Sequence, residues 1–195
     1  MNDTTMRKPG RRSGANTKMM ILAALFAALI AVCSQIVIPL APVPINLASL
    51  AVFLAAGFLG TKYGTISTIV YVLLGVVGVP VFAGFKGGPG VIVGPTGGYI
   101  IGYIVAAFVC GIMLERLCER KGGGYTYPRI AVSLAAGLFF CYLLGTAWFF
   151  VISGWTIGKI LMACVIVFLP GDALKIALAS ILIKKARPAV SRYLD

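Results

Sequence analysis

The fold is decided by an uncharged apolar run near the start of the chain, Met19-Met20-Ile21-Leu22-Ala23-Ala24-Leu25-Phe26-Ala27-Ala28-Leu29-Ile30-Ala31-Val32-Cys33. A membrane-spanning helix needs roughly 20 mostly apolar residues, and the segment from Lys18 to Ile38 supplies that length before Pro39 ends it. The basic residues in front of this segment imitate a signal peptide. Because further apolar runs follow, we predict instead that it is the first membrane span.

The composition extends this prediction to the whole chain. Apolar residues make up 60% of the 195 residues and charged residues only 11%, whereas soluble domains have about 45–50% and about 25%. A soluble protein of this length has too little interior to hide so much apolar surface. We therefore predict an all-α integral membrane protein, a bundle of six transmembrane helices at about residues 18–38, 47–59, 63–77, 99–117, 130–152 and 157–183.

The distribution of charge predicts the orientation of this bundle. The net charge is +12, and cytoplasmic segments of membrane proteins are rich in Lys and Arg. With the N-terminus inside, only Lys86 and Lys159 fall in outer loops and Lys175 lies within a span. The other fourteen basic residues lie at inner ends: Arg7, Lys8, Arg11, Arg12, Lys18, Lys62, Arg116, Arg120, Lys121, Arg129, Lys184, Lys185, Arg187 and Arg192. Both termini are thus predicted to be cytoplasmic.

The same pattern predicts one domain between two tails. Residues 1–17, rich in Arg, Lys, Gly and Ser, are predicted to be a flexible basic cytoplasmic tail. Residues 18–187 form the single transmembrane domain, and residues 188–195 form a short cytoplasmic C-terminal tail.

Two ionisable residues lie deep in a predicted span, in Pro170-Gly171-Asp172-Ala173-Leu174-Lys175. A charge at the centre of a membrane helix costs about 2.5–3.5 kcal/mol, so such residues usually face a cavity and carry function. Asp172 and Lys175 are three residues apart and share one helix face, while Pro170 and Gly171 allow a kink. The pair is either a ligand site, which we favour, or an ion pair that only holds helices together.

The connection between the third and fourth spans is long and rich in Gly and Pro, from Gly78 to Gly98. Loops of this length are often lids or binding loops. Phe82, Val91-Ile92-Val93 and Tyr99 are too apolar to remain in water, so we expect the loop to fold back over the bundle. It contains no phosphate-binding motif of the Gly-x-x-x-x-Gly-Lys-Ser/Thr type. The chain also has no histidine, which excludes His-ligated metals, and we expect no cofactor.

Two further segments have both a structural and a functional interpretation. Pro42-Val43-Pro44-Ile45-Asn46 either ends a helix or offers the Asn46 amide at the outer mouth. Ala23, Ala27 and Ala31 recur every four residues on the first helix, with Ala24 and Ala28 beside them. Small faces of this kind allow close helix packing in lipid, either within the bundle or against another membrane protein.

Four blocks together resemble the BioY family: Pro42-Val43-Pro44-Ile45, Gly78-Val79-Pro80-Val81-Phe82-Ala83-Gly84, Gly94-Pro95-Thr96-Gly97-Gly98-Tyr99, and Phe168-Leu169-Pro170-Gly171-Asp172 with Lys175. Their order and spacing match from the first span to the last. One departure follows the first block, where the family usually has Thr and Gln and this chain has Asn46 and Ala48.

The resemblance implies a biotin-binding S component of an energy-coupling-factor (ECF) importer, working with a transmembrane coupling subunit and two ATPase subunits. It implies that Ala23, Ala27 and Ala31 dock the coupling subunit. Asp172 would accept the N–H groups of the biotin ureido ring, because charge-assisted hydrogen bonds are strong, and Lys175 would take the valerate carboxylate or keep Asp172 ionised. The remaining substrate-binding residues that we expect are Phe82, Tyr99, Gly84, Gly94, Thr96, Gly97 and Asn46.

Other functions remain open at this point. One alternative is an S component for a different vitamin or small organic solute. Another is a secondary transporter in which Asp172 is a proton or cation site. A secondary transporter should show an internal repeat or broken helices in matched halves, and none is clear here. An intramembrane enzyme would need a nucleophile with a base, or a metal cluster, which the absence of histidine makes the weakest alternative.

Overall fold

The chain forms a helical bundle in a computed structural model, which describes residues 11–40, 43–120 and 124–194. Its long helices are α1 (Arg11–Ser34), α2 (Ala48–Val77), α4 (Gly97–Leu114), α5 (Tyr127–Ser153) and α7 (Leu169–Leu194). Short helices α3 (Pro89–Val93) and α6 (Ile157–Leu161) and two π-helical segments, Glu115–Arg120 and Met162–Ile166, complete the helical part. Strands β1 (Val37–Ile38) and β2 (Ile45–Asn46) pair antiparallel in the connection between α1 and α2.

The second helical element folds back on itself at Gly60, so that α2 supplies two spans. Gly60 has φ 73° and ψ −172°, a conformation that glycine adopts without the steric cost of a side chain. A methyl group at Gly64 would lie 2.8 Å from Cα of Ala56, although residues eight apart in a straight helix are separated by roughly 12 Å. The part of the chain that the structure describes therefore provides six spans, as predicted.

Several helix boundaries differ from those expected. Helix α1 begins at Arg11 rather than Lys18, and α7 continues through Pro188 to Leu194 rather than ending near Ile183. Basic and polar residues can extend a membrane helix into water, so hydropathy marks only the part inside the lipid. Residues 1–10, Pro42, Lys121 and Asp195 lie outside the described residues. The division into two tails and one domain stays a prediction.

Helices α4 and α5 pack along a seam of glycines that leaves no space for side chains. A methyl group at Gly98 would lie 2.3 Å from Cβ of Trp148, and one at Gly145 would lie 2.3 Å from the ring of Tyr99. We call these positions the glycine seam: Gly98, Gly102, Gly137 and Gly145. Small residues let two membrane helices approach closely and gain van der Waals contact, so α4 and α5 form the most closely packed pair.

The loop between α2 and α4 folds back over the bundle, as expected. Phe82 is 1% exposed, and its ring meets that of Tyr71 edge to face with centroids 5.7 Å apart. At the end of α1, Ser34 donates to the carbonyl of Val81, and Gln35 Nε2 donates to the same carbonyl at 3.0 Å. These contacts hold the outer loop to α1 and α2.

A polar cluster ties the helices together at the end of the bundle opposite this loop. Arg187 on α7 pairs with Glu119 and also donates to the carbonyl of Gly57. Its guanidinium lies 4.5 Å from the ring centre of Tyr125, whose hydroxyl donates to Glu119 at 2.8 Å. Burial raises the pKa of Tyr125, so this phenol stays protonated and keeps its donor.

Candidate functional site

Asp172 and Lys175 form a buried ion pair on α7, with Lys175 Nζ 2.9 Å from Asp172 Oδ1. The two residues are only 4% and 6% exposed. Lys175 also donates to Ser49 Oγ at 3.1 Å, and the Tyr142 hydroxyl donates to Asp172 Oδ2. The pair therefore connects α7 to α2 through Ser49 and to α5 through Tyr142.

An irregular stretch of the last span lies just before this pair. The π-helical segment ends at Ile166 and α7 begins at Leu169, so Pro170 occupies the first turn, where its missing N–H removes no helical bond. The N–H of Asp172 donates to the carbonyl of Phe168 at 2.9 Å. The irregular stretch, a π-helical segment followed by two turn residues, thus ends just before Pro170 and lies about one turn from Asp172.

A cavity of about 320 Å³, here called the outer cavity, lies between the outer loops and the bundle. Aromatic rings and loop backbone dominate its lining, which comprises Val43, Pro44, Asn46, Tyr71, Phe82, Ala83, Lys86, Gly90, Val91, Gly94, Pro95, Thr96, Tyr99, Ile100 and Tyr103. Small-molecule sites are commonly apolar concavities with a few placed polar groups, and this cavity fits that description.

A smaller cavity of about 40 Å³, here called the deep cavity, extends from the outer one to the ion pair. The two share five lining residues, Val43, Pro44, Asn46, Tyr99 and Tyr103. The deep cavity, unlike the outer one, is also lined by Asp172, Lys175, Ser49 and Tyr142. The buried charges thus line a small cavity that adjoins the outer one, which the loop between α2 and α4 helps to line.

The short first half of α2 makes room for these cavities. Residues 48–59 span roughly 18 Å along a helix axis, against a hydrocarbon thickness of about 30 Å. Asn46 lies two residues before this half begins, and its Oδ1 accepts from the N–H of Ala48, the first residue of the helix, at 3.1 Å. The same oxygen accepts from the Tyr103 hydroxyl at 3.3 Å. The Asn46 side chain is thereby fixed on the wall shared by both cavities.

Most of the residues singled out in the sequence meet at this concavity. Phe82, Gly94, Thr96, Tyr99 and Asn46 line the outer cavity, and Asp172 and Lys175 line the deep one.

Gly84 and Gly97 do not line either cavity, contrary to expectation. Gly84 is exposed with φ 72° and shapes the turn after Phe82. Gly97 packs against the loop, because a methyl group there would lie 1.6 Å from the carbonyl oxygen of Ile92. Both glycines serve the loop backbone rather than the cavity wall.

The alanine face of α1 also differs from the docking surface that the resemblance implied. Ala23 and Ala27 are 3% and 2% exposed, and Ala31 is half-buried. Ala27 packs in a core with Ile30 and Ala51. This face therefore serves packing within the bundle, the other interpretation of the same pattern. Ala24 and Ala28, next to this face, are exposed.

Three polar residues of the site were missed in the sequence: Ser49, Tyr103 and Tyr142. The tyrosines carried a usable signal, because a hydroxyl inside an apolar span needs a hydrogen-bond partner. Ser49 gave no such signal in the sequence, because small hydroxyl residues are common in membrane helices and usually bond to their own backbone. No group of three or more potential metal ligands occurs in residues 11–40, 43–120 and 124–194.

A third, larger groove of about 780 Å³ lies between α5 and the last span. Its walls are almost wholly apolar, with Phe139, Leu143, Phe150 and Leu161 among them. These four side chains are exposed on helices long and apolar enough to cross a membrane. The apolar walls of the groove suit lipid chains, but Asp172 and Tyr142 also line it, so the groove borders the ion pair from the side of α5.

The chain matches the BioY family model over residues 5–192. The chain belongs to the BioY family. A biotin transporter BioY of Thermotoga maritima is 50% identical over 128 residues, covering 66% of this chain and 72% of the relative. A probable biotin transporter BioY of Pyrococcus horikoshii is 39% identical over 168 residues, covering 86% and 95%.

The fold of this BioY family member matches that of a solved relative. A crystal structure of the S-component for biotin from an ECF-type ABC transporter superposes with a TM-score of 0.81 at 29% identity. The match covers 90% of this chain and 93% of that one. The chain is thus a multi-pass membrane protein of a transporter family, with the architecture of an S component.

Proposed function

We propose that the chain binds biotin from outside the cell and is the substrate-binding S component of an ECF-type importer. The observation that carries the proposal is a buried carboxylate–ammonium pair at the inner end of a cavity in a BioY-family fold. The relatives named biotin transporters and the likeness to an S-component for biotin support biotin as the substrate.

Asp172 is the proposed acceptor for the two N–H groups of the ureido ring. Each of its oxygens already accepts one hydrogen bond, Oδ1 from Lys175 and Oδ2 from Tyr142. An ionised carboxylate has about four acceptor sites, so both oxygens can accept another. Hydrogen bonds to a carboxylate are roughly twice as strong as hydrogen bonds to a neutral acceptor.

The outer cavity supplies the apolar walls for the rest of the ligand. The rings of Tyr99 and Phe82 form these walls, with Gly94 and Thr96 at the loop, and the buried Phe82 is held by Tyr71. Because these rings are fixed by packing, little conformational entropy would be lost on binding. Asn46, which lines both cavities, would lie beside the ring system of the ligand.

The energy for uptake is proposed to come from partner subunits. The sequence holds no phosphate-binding motif, so ATP hydrolysis falls to two ATPases joined through a transmembrane coupling subunit. The concentration of basic residues at one end of the bundle supports cytoplasmic termini. The exposed side of α1, with Ala24 and Ala28, offers the small-residue surface for the coupling subunit.

Equilibrium binding of biotin to the purified chain in detergent tests the proposal, with riboflavin and thiamine as controls. We expect saturable binding of biotin that neither control displaces. Folded protein that binds no biotin would overturn the substrate. Biotin accumulation in liposomes by the chain alone, without partner subunits, would instead support the secondary-transporter alternative.

A further inference from the structure

The guanidinium of Arg129, in the first turn of α5, has a donor that the bundle does not use. Its Nη1 is buried, yet no hydrogen-bond acceptor for it occurs in residues 11–40, 43–120 and 124–194. Neither ion pair of that part of the chain includes Arg129. A buried charged donor without a partner is unfavourable, so Nη1 is available to an acceptor that the described residues do not supply.

A second cation lies next to the first turn of α5. Ile130 packs in one hydrophobic cluster with Cys118 and Ile183, so this turn lies beside the π-helical segment after α4 and beside α7. Lys184 follows Ile183 on α7, and its Nζ lies 3.7 Å from the ring centre of Tyr127, the first residue of α5. The guanidinium and the ammonium thus flank the junction of three elements.

The carboxylates of the described residues are engaged elsewhere. Glu119 pairs with Arg187, and Glu115 accepts from the N–H of Thr61 at 2.9 Å. Asp172, the third carboxylate within residues 11–40, 43–120 and 124–194, is paired in the deep cavity. The two cations at the start of α5 therefore have no counter-charge in the part of the chain that the structure describes.

This junction lies where a membrane helix leaves the hydrocarbon. Arg129 is near the first residue of the candidate span Tyr127–Ser153, and long basic side chains at helix ends reach the membrane interface. Tyr127 is 44% exposed, and tyrosine is enriched at the level of the lipid headgroups. About one turn further along α5, Val132 is 56% exposed and offers apolar surface below the two cations.

We propose that Arg129 and Lys184 bind the phosphate of an anionic membrane lipid at the junction of α5 and α7. The planar guanidinium can donate two parallel hydrogen bonds to phosphate oxygens, and the ammonium, held over the ring of Tyr127, adds a second positive charge. Basic pockets between membrane helices are known to suit anionic headgroups. The acyl chains of the lipid would lie along the exposed side of α5, starting at Val132.

Native mass spectrometry of the purified full chain in uncharged detergent tests the site, with phosphatidylglycerol and phosphatidylcholine of the same acyl chains as probes. We expect wild-type protein to prefer phosphatidylglycerol by about 25-fold, about fivefold for each of the two cations. Arg129→Gln should lower that preference by about fivefold. Arg192→Gln is the matched control, because it removes the same charge from an exposed side chain further along α7 and should keep the preference.

Three results would overturn the proposal. They are equal binding of the two lipids by wild-type protein, a full preference in Arg129→Gln, and an equal loss in Arg192→Gln, which would leave only the net charge of the chain. Inorganic phosphate that binds as tightly as phosphatidylglycerol would overturn the lipid as the occupant. Should Arg129→Gln not fold, Lys184→Met changes an exposed side chain and must lower the preference by a similar factor for the proposal to stand.

Discussion

The last helix carries two ion pairs in opposite surroundings. Asp172 and Lys175 have side chains 6% and 7% exposed and face the deep cavity. Arg187 and Glu119, at the end of the bundle opposite the loop between α2 and α4, have side chains 19% and 44% exposed. The first pair lies within a single helix, three residues apart, whereas the second joins α7 to the π-helical segment after α4.

The two pairs differ in what they contribute: the first is the candidate for ligand binding, and the second is a structural contact. A buried ion pair stabilises a fold poorly, because the loss of hydration can exceed the attraction between the charges. The weak stabilisation expected of such a pair supports the proposal that a ligand uses Asp172 and Lys175, although the pair also bonds Ser49 on α2 and Tyr142 on α5. The pair of Arg187 and Glu119 joins two elements and adds a bond to Gly57, which is the work of a structural contact.

The largest effect is expected from Lys175→Met, which leaves a buried carboxylate without a counter-charge. Breaking a buried pair from one side costs about 3–5 kcal/mol of unfolding free energy, measurable by denaturant titration in mixed micelles. Biotin binding should be lost as well. The control is the double variant Asp172→Leu with Lys175→Met, which should recover most of the stability without recovering binding. A double variant that binds biotin normally would show that the pair serves only the fold.

A smaller effect is expected from Asp172→Asn, which keeps the shape of the side chain and removes its charge. Biotin affinity should fall by ~1–3 kcal/mol, the scale for a damaged buried hydrogen bond, in an equilibrium binding measurement. Glu119→Gln makes the same chemical change in the other pair and should leave affinity unchanged. Wild-type affinity in a folded Asp172→Asn protein would remove Asp172 from the site.

The smallest effect is expected from Arg187→Met. Pairs at partly exposed positions contribute about 0–1 kcal/mol, and the bond to the Gly57 carbonyl adds roughly 1 kcal/mol. The unfolding free energy should drop by about that sum while biotin affinity stays the same. Lys185→Met, on the same stretch of α7 but exposed, is the control. If Arg187→Met weakened biotin binding without lowering stability, the two ends of the molecule would not be separate in function.

Sequence predicted the six spans and the shared face of Asp172 and Lys175, because both depend on local periodicity. It did not predict which way each helix is rotated about its axis. That rotation turns Ala23 and Ala27 inward and brings Ser49 and Tyr142 to the ion pair. A pattern of small residues marks close packing but not the identity of the neighbour, and contacts between distant segments leave no local trace.

The loop residues show the same limit. Phe82 and Tyr99 were correctly expected at the cavity because large rings must leave water. Gly84 and Gly97 were expected there because they lack a side chain. The structure uses that lack elsewhere: Gly84 adopts the positive φ of a turn, and Gly97 leaves space for the backbone of Ile92.

The glycine seam has a consequence for how this chain tolerates mutation. Gly145 leaves room for the ring of Tyr99, and Gly98 leaves room for Trp148, whose indole donates to the carbonyl of Gly94 at 3.1 Å. An alanine at either position would shift an aromatic group that shapes the cavity wall. A saturation screen selected on growth with scarce biotin would therefore score these two glycines among its most sensitive positions, although neither lines the outer or the deep cavity.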